Sequence, residues 1–171
     1  MGVFKRFGKA LALDGFRIIG SYFSWMRKYA KHPEKYTQLE KQDKVRKLCY
    51  KVCLDLNFDF QIEGLENMPD RASGIYSNHL SLGDPLSYVS IFEKPTSYVS
   101  KKENKTMPFV GKIMTGLGGE FMDREDLKQS LKVMMHVQKE LENNEKNWVI
   151  FPDGTRNKDC QRNILPFRFS V

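Results

Sequence analysis

The stretch Gly74-Ile75-Tyr76-Ser77-Asn78-His79-Leu80-Ser81-Leu82-Gly83-Asp84-Pro85 carries the sharpest local signals in the chain. Gly74-Ile75-Tyr76-Ser77 reads as a short buried strand. Asp84 before Pro85 reads as a helix start, an N-cap carboxylate ahead of a first-turn proline. Leu86, Tyr88, Val89, Ile91 and Phe92 then follow at helical spacing. His79 thus falls where a strand has just ended, and Asp84 where a helix begins. In an open α/β sheet that is the edge where ligands bind.

A histidine and an aspartate five positions apart can act as a two-residue base. Imidazole titrates nearest neutrality and can accept a hydroxyl proton in a transition state. A carboxylate on its far nitrogen fixes the tautomer and stabilises the imidazolium. The plain alternative is a loop histidine beside a capping aspartate. The two roles of Asp84 are compatible.

Outward from this stretch, strands and helices alternate. Phe58-Asp59-Phe60-Gln61-Ile62 alternates with period two and predicts a half-buried, edge-like strand. Further strands are expected at Thr96–Ser100, Gly118–Met122 and Asn147–Phe151. Helices are expected from Pro85 to Phe92, Phe109 to Leu117 and Glu125 to Asn143. That order predicts an α/β fold with a mostly parallel sheet flanked by helices and right-handed crossovers. Asp123-Arg124 and Pro152-Asp153-Gly154-Thr155-Arg156 each follow a strand, so they converge with His79 and Asp84 on one edge. Arginine grips phosphate oxygens through a planar fork, and Gly154 lets backbone amides approach a ligand closely. Taken singly, Arg124 reads as a surface ion pair and Gly154-Thr155 as a turn.

The 171 residues carry a net charge of +7, with 40% hydrophobic and 29% charged side chains, which excludes wholesale disorder. Cys49, Cys53 and Cys160 form neither a disulfide framework nor a metal set, and point to reduced thiols in a cytosolic setting. The charge is uneven. Up to residue 31, Lys5, Arg6, Lys9, Arg17, Arg27, Lys28 and Lys31 are opposed by Asp14 alone, so nearly all the basic excess lies there. On a helical projection Phe4, Phe7, Leu11, Ile18, Tyr22, Trp25 and Tyr29 share a stripe, widened by Ile19 and Met26. Arg6, Lys9, Arg17, Arg27 and Lys28 lie opposite. An aromatic stripe against a basic face suits a helix lying in an anionic membrane surface. A helix docked on its own domain is the alternative. The same stripe argues against nucleic acid as partner. Asp14 and Arg17 interrupt any membrane-spanning run. A second helix is expected over 34–56, giving an amphipathic two-helix segment, 1–56, ahead of an α/β domain, 57–171.

Four motifs in order resemble the glycerophospholipid acyltransferases typified by lysophosphatidic acid acyltransferase. Asn78-His79 to Asp84 is similar to that family's His-x4-Asp motif. Val99-Ser100-Lys101-Lys102-Glu103 through Pro108 and Gly111 resembles its lysine-bearing segment. Phe121-Met122-Asp123-Arg124 resembles its second motif, and Phe151-Pro152-Asp153-Gly154-Thr155-Arg156 its Pro-Glu-Gly-Thr-Arg motif, with Asp153 in place of the usual glutamate. The resemblance implies transfer of an acyl group from a thioester, on CoA or acyl carrier protein, to the sn-2 hydroxyl of lysophosphatidic acid. His79 would be the base and Asp84 its orienting acid. Lys102, Asp123, Arg124, Asp153, Gly154, Thr155 and Arg156 would form the substrate site. No metal or other cofactor is implied. The expected setting is peripheral, on the cytoplasmic side of the cell membrane. Glycerol-3-phosphate or another lysophospholipid is the alternative acceptor, and an inactive membrane-binding remnant the alternative to an enzyme. Members usually continue with a further strand, and Ile164-Leu165-Pro166-Phe167 looks like its beginning, so the domain is expected to be incomplete.

Overall fold

In Asn147-Trp148-Val149-Ile150 the last three residues are apolar in succession, and Trp148 and Val149 are both 0% exposed, so this segment is covered on both faces. It lies inside a parallel sheet. The computed structural model describes residues 12, 14–79 and 83–152. Among these, β1 (Gly74–Tyr76), β2 (Thr96–Lys101), β3 (Glu120–Met122) and β4 (Asn147–Ile150) pair in the order β1-β4-β2-β3. All three pairings are parallel, with Ile75 opposite Val149, Tyr98 opposite Val149 and Ser100 opposite Phe121. The expected α/β architecture is therefore present.

Helices flank both faces. α1 covers residues 14–31, α2 Gln38–Asp55, α3 Gly83–Ile91, α4 Val110–Gly116 and α5 Leu127–Glu142. On the first face, Val45 and Cys49 of α2, Val89 of α3 and Met114 of α4 pack with Ile75, Tyr98 and Val149. On the second face, Val133 and Val137 of α5 pack with Trp148, Val99 and Met122. Thr37 caps α2 by accepting from the Glu40 amide, and Asp126 caps α5 by accepting from the Gln129 amide.

The strand expected at Phe58–Ile62 does not form. Asn57, at φ 57°, ends α2 in the left-handed region, and the segment runs on without a sheet partner, with Phe58 and Ile62 both exposed. Alternation with period two marks any extended chain, and hydrogen bonding to a neighbour decides whether it becomes a strand. The helix expected from Pro85 begins at Gly83, so Asp84 lies in its first turn and is not the cap.

The apolar stripe of the first helix faces inward. Met26 and Tyr29 are buried, Gly116 of α4 packs against Tyr29, and the Tyr22 ring meets Phe109. A π-turn at Tyr22–Met26 re-phases the helix through this contact. Phe16 and Phe23 are exposed, and so is Ile19, which the helical projection places on the margin of the stripe. Phe4, Phe7 and Leu11 lie outside the described residues. Tyr29 donates to Glu40 at one end of the α1–α2 pair, and Arg17 meets Asp55 at the other, so the two helices form an antiparallel hairpin.

Beneath the sheet, Lys146 is 2% exposed. Its ammonium donates to Glu140 at 3.0 Å and to the Gly118 carbonyl at 3.1 Å, and lies 4.9 Å from the Trp148 ring centroid. Gly118 has φ 71°, and a Cβ there would lie 2.7 Å from the Lys146 nitrogen. Cys49 and Cys53 are both buried, and burial pushes the Cys49 thiol up to about 12 and raises that of Cys53. Neither should react with iodoacetamide at pH 8 in the folded protein, and both should react once it is unfolded in guanidinium. Peptide mapping of the alkylated chain checks this.

Candidate active site

His79 and Asp84 meet because a strand and a helix turn towards each other at the carboxyl end of the sheet. The Ser77 amide donates to the Ile150 carbonyl, which extends the β1–β4 ladder to the residue before Asn78. The Ser77 hydroxyl pairs with the Tyr88 hydroxyl, one helical turn beyond Asp84. Strand end and helix start are thereby tied together. His79 Nδ1 lies 2.9 Å from Asp84 Oδ2, with the two side chains 20% and 21% exposed. With Nδ1–H donating to the carboxylate, Nε2 keeps its lone pair for an incoming proton. The Phe151 ring lies against the imidazole at 4.5 Å between centroids and 31° between planes, which limits rotation of the base. This is the geometry of a general base with its orienting acid.

Arg124 shares a cavity with the base. A cavity of about 190 Å³ is lined by His79, Ser100, Asn104, Arg124, Ile150 and Phe151, among others. Arg124 also lines a neighbouring hollow of about 390 Å³ together with Lys101, Lys102 and Asp123. Lys102 donates to Asp123 at 2.8 Å. That bond raises the Lys102 ammonium above its ordinary range and holds the Asp123 carboxyl below its own, helped there by the Glu125 amide. Both groups are charged at neutral pH. The structure thus brings His79, Asp84, Lys102, Asp123 and Arg124 to one edge. Asp123 holds its neighbouring lysine and the turn that presents Arg124. The expected positions Asp153, Gly154, Thr155 and Arg156 lie outside the described residues.

Two residues that hold this turn have no signature in the sequence. Gln129 accepts from the Asp123 amide at 2.9 Å and donates to the Phe121 carbonyl at 2.8 Å, while the Ser130 hydroxyl donates to the Asp123 carbonyl at 2.7 Å. The first turn of α5 is thereby fastened to the β3 exit. On the other wall, Asn104 donates to the Ser100 hydroxyl at 2.7 Å. Sequence reading singles out neither Gln129 nor Ser130; the capping spacing Asp126-x-x-Gln129 is the signal that could have found the first.

The Acyltransferase family profile matches residues 59–171, which includes the histidine–aspartate pair and the arginine turn. The chain belongs to the Acyltransferase family. Among its relatives, the 1-acyl-sn-glycerol-3-phosphate acyltransferase of Saccharomyces cerevisiae is 33% identical over 119 residues, 67% of this chain and 38% of that protein. The 1-acyl-sn-glycerol-3-phosphate acyltransferase of Helicobacter pylori is 32% identical over 107 residues, 63% of this chain and 44% of that protein. The chain therefore spans less than half the length of either relative. Among solved structures, the 1-acyl-sn-glycerophosphate (LPA) acyltransferase PlsC of Thermotoga maritima aligns with a TM-score of 0.65 at 21% identity, covering 90% of this chain and 64% of that one. At that identity the likeness is one of fold. The parallel sheet that carries His79 and Arg124 is thus shared by a solved acyltransferase.

Proposed function

We propose that this acyltransferase-family chain transfers a fatty acyl group from an acyl thioester to the sn-2 hydroxyl of lysophosphatidic acid, giving phosphatidic acid. One observation carries the reading: an imidazole oriented by a carboxylate shares a cavity with a guanidinium, in a chain of this family. His79 Nε2 takes the proton as the hydroxyl oxygen attacks the thioester carbonyl. The tetrahedral intermediate collapses, the carbon–sulfur bond breaks, and the thiolate leaves with the proton that His79 had taken. Asp84 stabilises the imidazolium in between. Arg124 and Lys102 hold the acceptor's phosphate, with Arg156 and Thr155 assigned to the same task by their motif. The donor is acyl-CoA or acyl carrier protein, and the protein itself supplies all the acid–base chemistry.

The purified chain, mixed with radiolabelled acyl-CoA or acyl carrier protein and a panel of acceptors, should acylate lysophosphatidic acid in preference to glycerol-3-phosphate and lysophosphatidylcholine. Equal labelling of lysophosphatidylcholine would remove the phosphate monoester from the reading. No transfer to any acceptor would favour the inactive remnant.

The substrate's residence in a bilayer asks for a membrane-facing surface on the cytoplasmic side, and α1 offers one. No helix among the described residues is long and apolar enough to cross a membrane. Phe16, Ile19 and Phe23 form an exposed apolar ridge, 79%, 48% and 64% exposed. Beside it, Arg27, Lys28, Lys31 and Lys112 line a basic hollow of about 670 Å³. This pairing suits an anionic surface better than the inward stripe does. The double substitution Phe16→Asp, Phe23→Asp should lower partitioning into phosphatidylglycerol vesicles by about tenfold or more, read by co-sedimentation. Unchanged partitioning would move the contact elsewhere.

A further inference from the structure

α3 reaches the base by two routes. Asp84, in its first turn, lies 2.9 Å from His79 Nδ1. Tyr88 stands four residues further on, hence on the same helix face, and its hydroxyl pairs with that of Ser77. The direction of this bond follows from the donors available. The Ser77 hydroxyl has one hydrogen, and gives it to the Asn78 carbonyl at 3.1 Å. Ser77 therefore accepts, and Tyr88 donates. Burial raises the Tyr88 phenol above its ordinary value, so it keeps that hydrogen at neutral pH. The run from Tyr88 through Ser77 to the Asn78 carbonyl ends on the peptide bond that enters His79. The ring of Tyr88 contributes as well. Phe151 lies 4.5 Å from the His79 ring and 6.3 Å from that of Tyr88, between centroids, and Phe92 stacks on Tyr88 at 5.6 Å. A phenylalanine at 88 would fill the same space. What the hydroxyl adds is the bond to Ser77. The Ser77 amide already holds the strand end to Ile150, so the hydroxyl pair governs the peptide beyond it.

We propose that Tyr88 is a positioning residue for the base. Through Ser77 its hydroxyl sets the peptide that carries His79, so that the imidazole meets Asp84 at Nδ1 and offers Nε2 to the cavity. One helix face then fixes both the ring and the backbone of the same histidine. The consequence for rate rests on the acyl-transfer reading above; the geometry does not. A base displaced by about 1 Å can lose up to 10²-fold in rate, and loss of one of two supports is expected to cost about tenfold.

Tyr88→Phe keeps the ring contacts and removes one hydroxyl. Its kcat for acyl transfer should fall about tenfold, with KM for donor and acceptor within about twofold of the parent. Ser77→Ala breaks the same run from the other side and should lose a similar factor. The double variant should fall no further than either single one, and Tyr88→Phe should change nothing more once His79 is alanine. Tyr50→Phe, on the exposed side of α2, is the control and should keep the parent rate. A second readout needs no turnover. In nitrogen-15 spectra of the imidazoles, the parent His79 should carry its proton on Nδ1. Tyr88→Phe should move part of that population to Nε2, while the His136 signals stay in place. His79 signals that do not move overturn the proposal, whatever the rate does. A tenfold loss that persists without His79 also overturns it, and assigns the hydroxyl to the fold alone. A parent that transfers nothing removes the acyl-transfer reading, and the spectra still decide whether Tyr88 sets the histidine.

Discussion

Replacing His79 by alanine is expected to lower kcat for acyl transfer by about 10²–10⁴-fold, the range that a positioned acid–base group contributes. The folded chain should survive the change, since His79 is only partly buried and, among the described residues, its side-chain hydrogen bond is the one to Asp84. Circular dichroism and the thermal midpoint should therefore match the parent. The KM for the donor should also stay near its parent value, because the lost interaction acts on the proton in flight. His136→Ala provides the contrast. That histidine is 47% exposed and stands beside Glu120 and Glu140, away from the cavity, so the rate should not change. Equal rates for the His79 variant and the parent would end the proposal that this chain catalyses transfer through imidazole.

The second large effect is on stability. Trp148→Ala should cost about 3–5 kcal/mol, since a fully buried aromatic side chain is removed from between β4 and α5. Its indole also donates to Glu140 at 3.0 Å, a carboxylate that additionally holds the buried Lys146. Single domains are stable by only 5–15 kcal/mol, so the loss is a large share of the whole. A fall in the thermal midpoint of roughly 10–15 °C is expected. Trp148→Phe keeps most of the packing and loses the hydrogen bond, and should cost about 1–3 kcal/mol. A cost below about 1 kcal/mol for Trp148→Ala would show that the second face contributes little to holding the sheet.

Much of this was legible in the sequence. The strands and helices expected between 74 and 151 form within a few residues of their expected bounds, because short apolar runs and capped amphipathic runs are locally encoded. The His79–Asp84 pair was legible because its five-residue spacing straddles a strand end and a helix start. Three features were not. The segment 58–62 has strand-like alternation, but only a neighbouring strand could have made it one. The inward stripe of α1 and its outward ridge of Phe16, Ile19 and Phe23 both look apolar on a helical projection, and only the position of α4 decides which is buried. Gln129 and Ser130 read as ordinary polar helix residues, yet they fasten the turn bearing Arg124. In each case the deciding partner is distant in the chain or depends on the fold already being in place.

The contact between Gly118 and Lys146 constrains how this sequence can drift. A methyl group at 118 would strike the ammonium that neutralises Glu140, and a shortened side chain at 146 would strand that carboxylate without its charged partner. The two positions are coupled across 28 residues, but unequally. The φ of 71° at Gly118 strains any side chain placed there, whatever stands at 146. A descendant that loses Lys146 is expected to carry a compensating exchange at residue 140, while residue 118 is expected to stay glycine.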